Sequence, residues 1–347
     1  MENSVVCLTG PREVLLAPGE SQRVDVGQIR VRTRYSGISA GTELTLYRGS
    51  NPRLTKVWDN EHRLFVDRSV GPAYPVSGFG YEEVGEVVEV APDVVLRRPG
   101  DLVWGMWGHR TEAVLAADAV TPLPPGLNPL AGVFARPGAI ALTAVLAGDL
   151  HVGEWVGVFG QGVIGLLATR LAALSGARVV AVDQQPHRLS FALRYGARLT
   201  VDGRTASAAE VLRGVTDGLG ADVCLELSGA YPALHEAIRA TAPAGRVVAA
   251  GFYQGDAVGL ALGEEFHHNR VQVVPAQVSG PSPLPYSAGR WTAARLARTF
   301  MDLVAEQAVD PLPLVSHVVD AAAAGDALAL LDRGDPDALQ VVLRFDP

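Results

Sequence analysis

The chain has 347 residues, 48% of them hydrophobic and 19% charged, a length that calls for two cores and a composition outside the disordered class. The formal net charge is −8 with the charges dispersed, which excludes a basic nucleic-acid-binding face and a charged tail. Cys7 and Cys224 are the only cysteines, too few for a disulfide framework and in keeping with a reducing compartment; with neither a secretory pattern in MENSVVCLTGPREV nor an uncharged apolar run long enough for a bilayer, a soluble cytoplasmic protein is expected.

In chain order, residues 1–150 carry short β-branched runs, VVCLTG, QIRVRTRYSG, VGEVVEV, GDLVWG and EAVLAAD, separated by Gly, Pro and polar turns. This spacing predicts an irregular, mostly antiparallel β domain. Between them, RGSNPRLTKVWDNEHRLFVDRSVGPAYPV (48–76) lacks periodicity and reads as a lid or binding loop. Its exposed His62, Arg63 and Arg68 would favour an anionic or polyhydroxylated substrate.

From residue 151 the rhythm changes to strand and helix in alternation. EWVGVFG is a buried strand, VIGLLATRLAALSG a helix closed by Gly176, and RVVAVD the next strand. HRLSFALRYGA is a helix, ADVCLELSG a strand, PALHEAIRATAPAG a helix and RVVAAGF a strand. Such alternation implies parallel strands with right-handed crossovers over 151–280. The pattern breaks at PSPLPYSAG, and a helix, RWTAARLARTFMDLVAEQ, and a strand, LQVVLRF, follow. Residues 281–347 are expected to complete the first domain.

The sharpest motif is GQGVIG, in which Gly160, Gly162 and Gly165 stand between a predicted strand and a predicted helix, with Gln161, Val163 and Ile164 between them. That context is the one a dinucleotide site requires: a tight turn, close backbone approach to a pyrophosphate, and a helix amino terminus to receive it. Asp183 ends the next strand, where a carboxylate hydrogen-bonds a ribose 2′-hydroxyl and repels a 2′-phosphate; Arg188 is the nearby cation that would accommodate that phosphate instead. NAD is the expected cofactor. Ser228 and Gly229, and Gly251 and Phe252, follow later strands of the same sheet and are expected beside the nicotinamide half.

The stretches ISAGTELTLYRG (38–49), GYEEVGEVVEV (80–90), GDLVWG (100–105), ARPGAIALTAV (135–145) and VFGQGVIG (158–165) together resemble the medium-chain dehydrogenase/reductase family, over essentially the whole chain. The resemblance implies an α/β fold, a Rossmann doubly wound parallel sheet plus a GroES-like, mostly antiparallel β domain. Zinc members of that family bind their catalytic metal through a cysteine in a GICGTD-like stretch, the histidine of Gly-His-Glu and a later Cys, Asp or Glu. Here Ala40 or Ser39 falls at the cysteine, Tyr81 replaces the histidine, and Arg136 stands where the glutamate would be. The structural-zinc cysteines are missing. Hydroxyl, phenol and guanidinium groups are poor zinc ligands, so no metal is expected.

In zinc members the metal stabilises alkoxide while hydride moves to nicotinamide. Arg136 is the expected electrostatic substitute, and Tyr81 the expected proton donor or acceptor, its pKa lowered by a nearby cation. Thr42 matches a proton-relay position, and Glu82 is expected to hold Arg136. The competing readings are structural: Tyr81 packs, Thr42 caps a turn, Glu43 is structural, Glu83 is solvated along its strand, and His267 and His268 are polar surface or packing residues; His109 matches a Gly-His stretch whose histidine is not a zinc ligand in the family. The reaction expected is zinc-independent, NAD-dependent interconversion of a secondary alcohol and a ketone. The alternatives are reduction of an activated C=C bond with NAD(P)H and a non-catalytic nucleotide-binding relative. The expected partners are a small-molecule substrate and a second copy, paired through the Rossmann sheet edge, with no nucleic acid and no membrane.

Overall fold

The structure, a computed structural model, describes residues 3–71, 73–279 and 289–345. The chain divides into two compact units, residues 1–135 with 312–347, and residues 136–311.

The first unit begins with β1 (Ser4–Gly10), β2 (Glu13–Pro18) and β3 (Gln28–Ile38), then α1 (Ala40–Arg48) and α2 (Pro52–Thr55). Helix α1 stops at Gly49, whose φ of 81° lies in the left-handed region that glycine adopts without a Cβ penalty. The 48–76 excursion holds a hairpin, β4 (Lys56–Asp59) with β5 (Leu64–Asp67), and β6 (Val76–Ser77) follows. Next come β7 (Glu83–Val90), β8 (Leu102–Gly105), β9 (Glu112–Ala116) and β10 (Thr121–Pro122). A seven-stranded sheet runs β10-β8-β7-β3, with β9 also on β3, and continues into two strands from the end of the chain; a three-stranded sheet runs β2-β1-β6. Alternate residues of the central strands, Ile29, Val31, Val87 and Val103, are fully buried and share one core, as the two-residue period of a strand dictates.

The second unit opens on α3 (Ala135–Gly148) and continues with β11 (Trp155–Phe159), α4 (Val163–Leu174), β12 (Arg178–Asp183), α5 (Pro186–Arg194), β13 (Leu199–Asp202), α6 (Ala208–Val215), β14 (Ala221–Glu226), α7 (Tyr231–Ala240), β15 (Thr241–Ala249), β16 (Gln272–Pro275) and α8 (Ala293–Ala305). Its six strands are all parallel, in the order β13-β12-β11-β14-β15-β16. That is the doubly wound arrangement, with its order reversing between β11 and β14. Helix α7 ends at Ala240; the following TAPAG, expected to be helical, belongs to β15, where Thr241 pairs with Ala221. The chain then returns to the first unit with β17 (Val315–Asp320), α9 (Ala324–Asp332) and β18 (Gln340–Arg344), β18 lying antiparallel to β3.

The unit boundaries fall at 135/136 and 311/312, not at 150/151 and 280/281. Packing explains both shifts. A Cβ on Gly138 of α3 would sit 2.1 Å from the ring of Phe300 on α8, so both helices share the second core. Leu296, Phe300, Met301 and Val304 of α8 are buried at helical spacing. Of the break at PSPLPYSAG, all but Gly289 lies outside the described residues. The stretch Pro129–Gly148 is long and apolar enough to cross a membrane, and most of it is buried inside the protein.

Candidate active site

In the first unit Ser39 ends β3's run and caps α1 with extended backbone. Its hydroxyl bonds the phenol of Tyr81, and that phenol donates to the Thr42 hydroxyl at 3.2 Å. Three hydroxyls therefore converge, two of them from the first turn of one helix. Ser39, rather than Ala40, occupies the position opposite Tyr81. Burial, followed by the charge of Glu82, raises the pKa of Tyr81 well above the ordinary tyrosine range, against smaller opposing effects of the Ser39 and Thr42 bonds. The expected lowering by a cation is thus reversed, and the phenol stays protonated at neutral pH.

Glu82 is buried; its Oε2 accepts from Gln340 Nε2 of β18 at 3.0 Å. Gly37 makes room for it, because a Cβ there would lie 2.4 Å from that oxygen. Arg136 lies in the second unit and donates to the Ser279 hydroxyl.

Glu83, expected to be solvated, is fully buried. Its carboxylate accepts from the Ser36 hydroxyl at 3.0 Å and from the Trp107 N–H at 2.6 Å. Ser36 in turn sits 2.6 Å from His109 Nδ1, and His109 Nε2 lies 2.7 Å from Glu43 Oε2. Glu43 and His109 are each 1% exposed. Both are core residues, and their connection was not legible in the sequence. Its signal in sequence was faint: a glutamate directly after the Gly-Thr of ISAGTE, and a histidine in a Gly-rich bend distant along the chain.

In the second unit the Gly-rich turn joins β11 to α4. Gly160 has φ 87°, and a Cβ on Gly165 would sit 1.7 Å from the Gly160 carbonyl oxygen. Over Gly162 a Cβ would meet nothing within 4 Å, so the backbone at the α4 amino terminus stands open to an approaching group. Val163 and Ile164 begin the helix there. The Gln161 side chain turns inward instead, donating to the Val158 carbonyl and accepting from Thr169. Asp183 accepts from the Gln161 N–H at 2.6 Å and the Gln185 N–H at 2.8 Å. A cavity of about 730 Å³ opens beside it, lined by Gly160, Asp183, Arg188, Arg204 and Ser228 among others.

Sequence reasoning missed Glu226, a buried acid at the end of β14. Its Oε1 accepts from the Ser228 N–H at 2.8 Å and from the Ser228 hydroxyl; Oε2 accepts from the Gly229 N–H at 3.2 Å and from the Tyr253 phenol. One carboxylate thereby ties together the two loops that hold Ser228, Gly229, Gly251 and Phe252. A charged residue inside the apolar run ADVCLELSG was the available signal. Burial raises the Glu226 pKa, with the Ser228 and Tyr253 bonds opposing. Cys224, one strand turn earlier, is fully buried and its thiol is pushed up to about 12 by desolvation, consistent with an inert core residue.

For zinc, the donor set around Tyr81 does not fit: two aliphatic hydroxyls and a protonated phenol supply neither thiolate nor imidazole. Among the described residues, the set of His, Cys, Asp and Glu close enough to share an ion is His235, Glu264 and Glu265, in the second unit, with Glu264 exposed. For a dinucleotide, the open Gly162 backbone, the helix amino terminus and the Asp183-lined cavity fit the pyrophosphate and ribose.

Residues 163–288 match the family model described as zinc-binding dehydrogenase. The chain is 29% identical over 321 residues to D-guloside 3-dehydrogenase of Shigella flexneri, covering 88% of this chain and 90% of that protein. It is 27% identical to (R,R)-butanediol dehydrogenase of Bacillus subtilis, covering 75% of this chain and 79% of that one. Its fold matches a putative zinc-binding dehydrogenase from Sinorhizobium meliloti 1021 bound to NADP, with a TM-score of 0.79 and 20% identity over 99% of each chain.

Proposed function

We propose that the protein is a dehydrogenase of the medium-chain, alcohol dehydrogenase-like kind to which its sequence is similar, and that it uses NAD(H) to interconvert a secondary alcohol and a ketone without a catalytic zinc. The observation that carries this reading is the contact of Tyr81 with Ser39 and Thr42, Tyr81 and Ser39 standing at positions where zinc-dependent relatives are expected to hold metal ligands. In place of a Lewis acid, a neutral phenol backed by two hydroxyls meets the substrate oxygen.

Bound in the Asp183-lined cavity, the dinucleotide supplies or accepts the hydride. In the reducing direction Tyr81 donates its proton to the carbonyl oxygen as the carbon takes the hydride. The raised pKa of Tyr81 means that the phenolate does not persist, and a proton taken up from solvent reaches it through the Ser39 and Thr42 hydroxyls, each passing one on as it receives one. In the oxidising direction the same row carries the proton away. Glu82, tied to Gln340, fixes the backbone that presents Tyr81. Gly160, Gly162, Val163, Ile164 and Gly165 receive the pyrophosphate, Asp183 the adenosine ribose, and the Ser228–Gly229 and Gly251–Phe252 loops the nicotinamide half. Asp183 favours NAD over NADP because its carboxylate repels a 2′-phosphate.

The test is hydride-transfer assay with NADH and NADPH, and with their oxidised forms, against glycosides, sugars, cyclic ketones, enones and quinones. Glycoside ring hydroxyls come first, because the 29% identical relative is a D-guloside 3-dehydrogenase. Turnover of glycosides or ketones supports the reading; turnover confined to enones and quinones overturns it.

A further inference from the structure

We propose that the buried Glu43–His109 pair positions the hydroxyl trio, and that a single proton held on the row His109–Ser36–Glu83 keeps this scaffold closed. The proposal deepens the dehydrogenase reading and rests on it only for the meaning of Ser39 and Tyr81.

Glu43 reaches back along α1 so that its Oε1 accepts the backbone N–H of Ser39 at 3.0 Å. This holds the residue whose hydroxyl touches Tyr81. Its Oε2 meets His109 Nε2 at 2.7 Å. His109 is anchored on the other side of the trio as well: its backbone N–H donates to the Phe79 carbonyl at 3.0 Å, two positions before Tyr81. The Phe79 ring packs edge-on against the imidazole at 5.1 Å, and a Cβ on Gly80 would lie 2.9 Å from it. The same histidine therefore braces the helix end that carries Ser39 and the segment that carries Tyr81.

The groups facing the imidazole are Glu43 from α1, Ser36 from β3, and Glu83 from β7 through Ser36. The charged neighbour Glu82 is bonded to Gln340. The hydrogen-bond inventory permits two arrangements. With an imidazolium, Nδ1–H donates to Ser36, Ser36 donates to Glu83, and Nε2–H donates to Glu43. With a neutral imidazole keeping Nε2–H, Nδ1 accepts from Ser36, so a protonated Glu83 must donate to Ser36. Both arrangements satisfy every group, and both hold the same one proton. Remove it, and the one Ser36 proton serves either Glu83 Oε1 or His109 Nδ1 but not both, while two carboxylates share a dry core, which is unfavourable. Burial disfavours the imidazolium, but the charge and hydrogen bond of Glu43, with Glu83 behind it, raise the His109 pKa; burial likewise raises that of Glu83.

Hydrogen–deuterium exchange of the full chain, followed by mass spectrometry from neutral to alkaline pH, tests this without any substrate. Wild-type protection of residues 39–43 should be high and should fall, after correction for intrinsic exchange, as the shared proton is lost. His109→Gln keeps one N–H for Glu43 but cannot titrate; protection should drop about tenfold at neutral pH and become flat with pH, while segments of the second unit are unchanged. His109→Ala should lose more than His109→Gln. If His109→Gln does not fold, Glu43→Gln takes its place and should show the same loss over 39–43. Wild-type protection and pH dependence in the variant that folds would overturn the proposal, as would a uniform drop across both units. Turnover of Tyr81→Phe, measured alongside, reports separately on the dehydrogenase reading.

Discussion

The carboxylate of Asp183 accepts the backbone N–H of Gln161 at 2.6 Å, so the end of β12 and the Gly-rich turn after β11 are held by one side chain. Asp183 thus shapes the loop beside the cavity in which it is proposed to receive the ribose. Asp183→Ser should raise the KM for NADH by roughly 10–100-fold, the loss expected for hydrogen bonds to a charged acceptor. The KM for NADPH should fall, because Arg188 and Arg204 line the same cavity and the repelling charge is gone. Steady-state kinetics with both cofactors check this; equal losses for the two would show that Asp183 acts on the loop alone.

Gly165 approaches the Gly160 carbonyl so closely that a Cβ would stand 1.7 Å from its oxygen. Gly165→Ala must push α4 away from β11. The expected outcome is loss of NADH binding, read by fluorescence, with a fall in thermal midpoint. Gly162→Ala meets no protein atom within 4 Å, so it should fold normally and weaken NADH alone.

Glu226 ties two loops through Ser228, Gly229 and Tyr253. Tyr253→Phe removes one link and should destabilise the second unit by about 1.5–3 kcal/mol, a value typical of a hydrogen bond to a charged group. Glu226→Ala strands several buried donors and should cost more, about 3 kcal/mol or above. Urea unfolding measures both; an Ala variant as stable as wild type would contradict the tie.

The two units were not equally legible in sequence. The β11–turn–α4–β12 segment is local: its glycines, helix and acid lie within one supersecondary motif, and Gly160 and Gly165 show the positive φ and the close approach that their residue type suggests. Glu83 was misread because its neighbours come from far away, Ser36 on β3 and Trp107 beyond β8, and because register shifts in the β3–β7 pairing break simple alternation. Ser39 was hidden by a one-residue insertion before Gly-Thr-Glu, which left Ala40 equally plausible until the helix cap was seen. The unit boundary at 135 was missed because an apolar helix such as α3 fits either core; its packing on Phe300 decides.

The His109 and Glu83 pKa values are both raised on folding, for the causes given above. Each group therefore stabilises the fold fully below its unfolded value, near 6.5 and 4.5 respectively, and the contribution is lost as pH rises through the folded value. The stability advantage of wild type over His109→Gln should accordingly be larger at about pH 6 than at about pH 9. Urea midpoints for the two proteins across that range give the answer, and a constant difference would contradict it.

The claim that a phenol and two hydroxyls have replaced a metal is tested most directly by turnover before and after exhaustive chelation, on one sample whose zinc content is measured. Because His235, Glu264 and Glu265 lie close enough to hold an ion, activity decides rather than content alone. The expected result is full turnover after chelation, unchanged by added zinc, and a fall of about 100-fold or more in Tyr81→Phe. Turnover abolished by chelation and restored by stoichiometric zinc would contradict it.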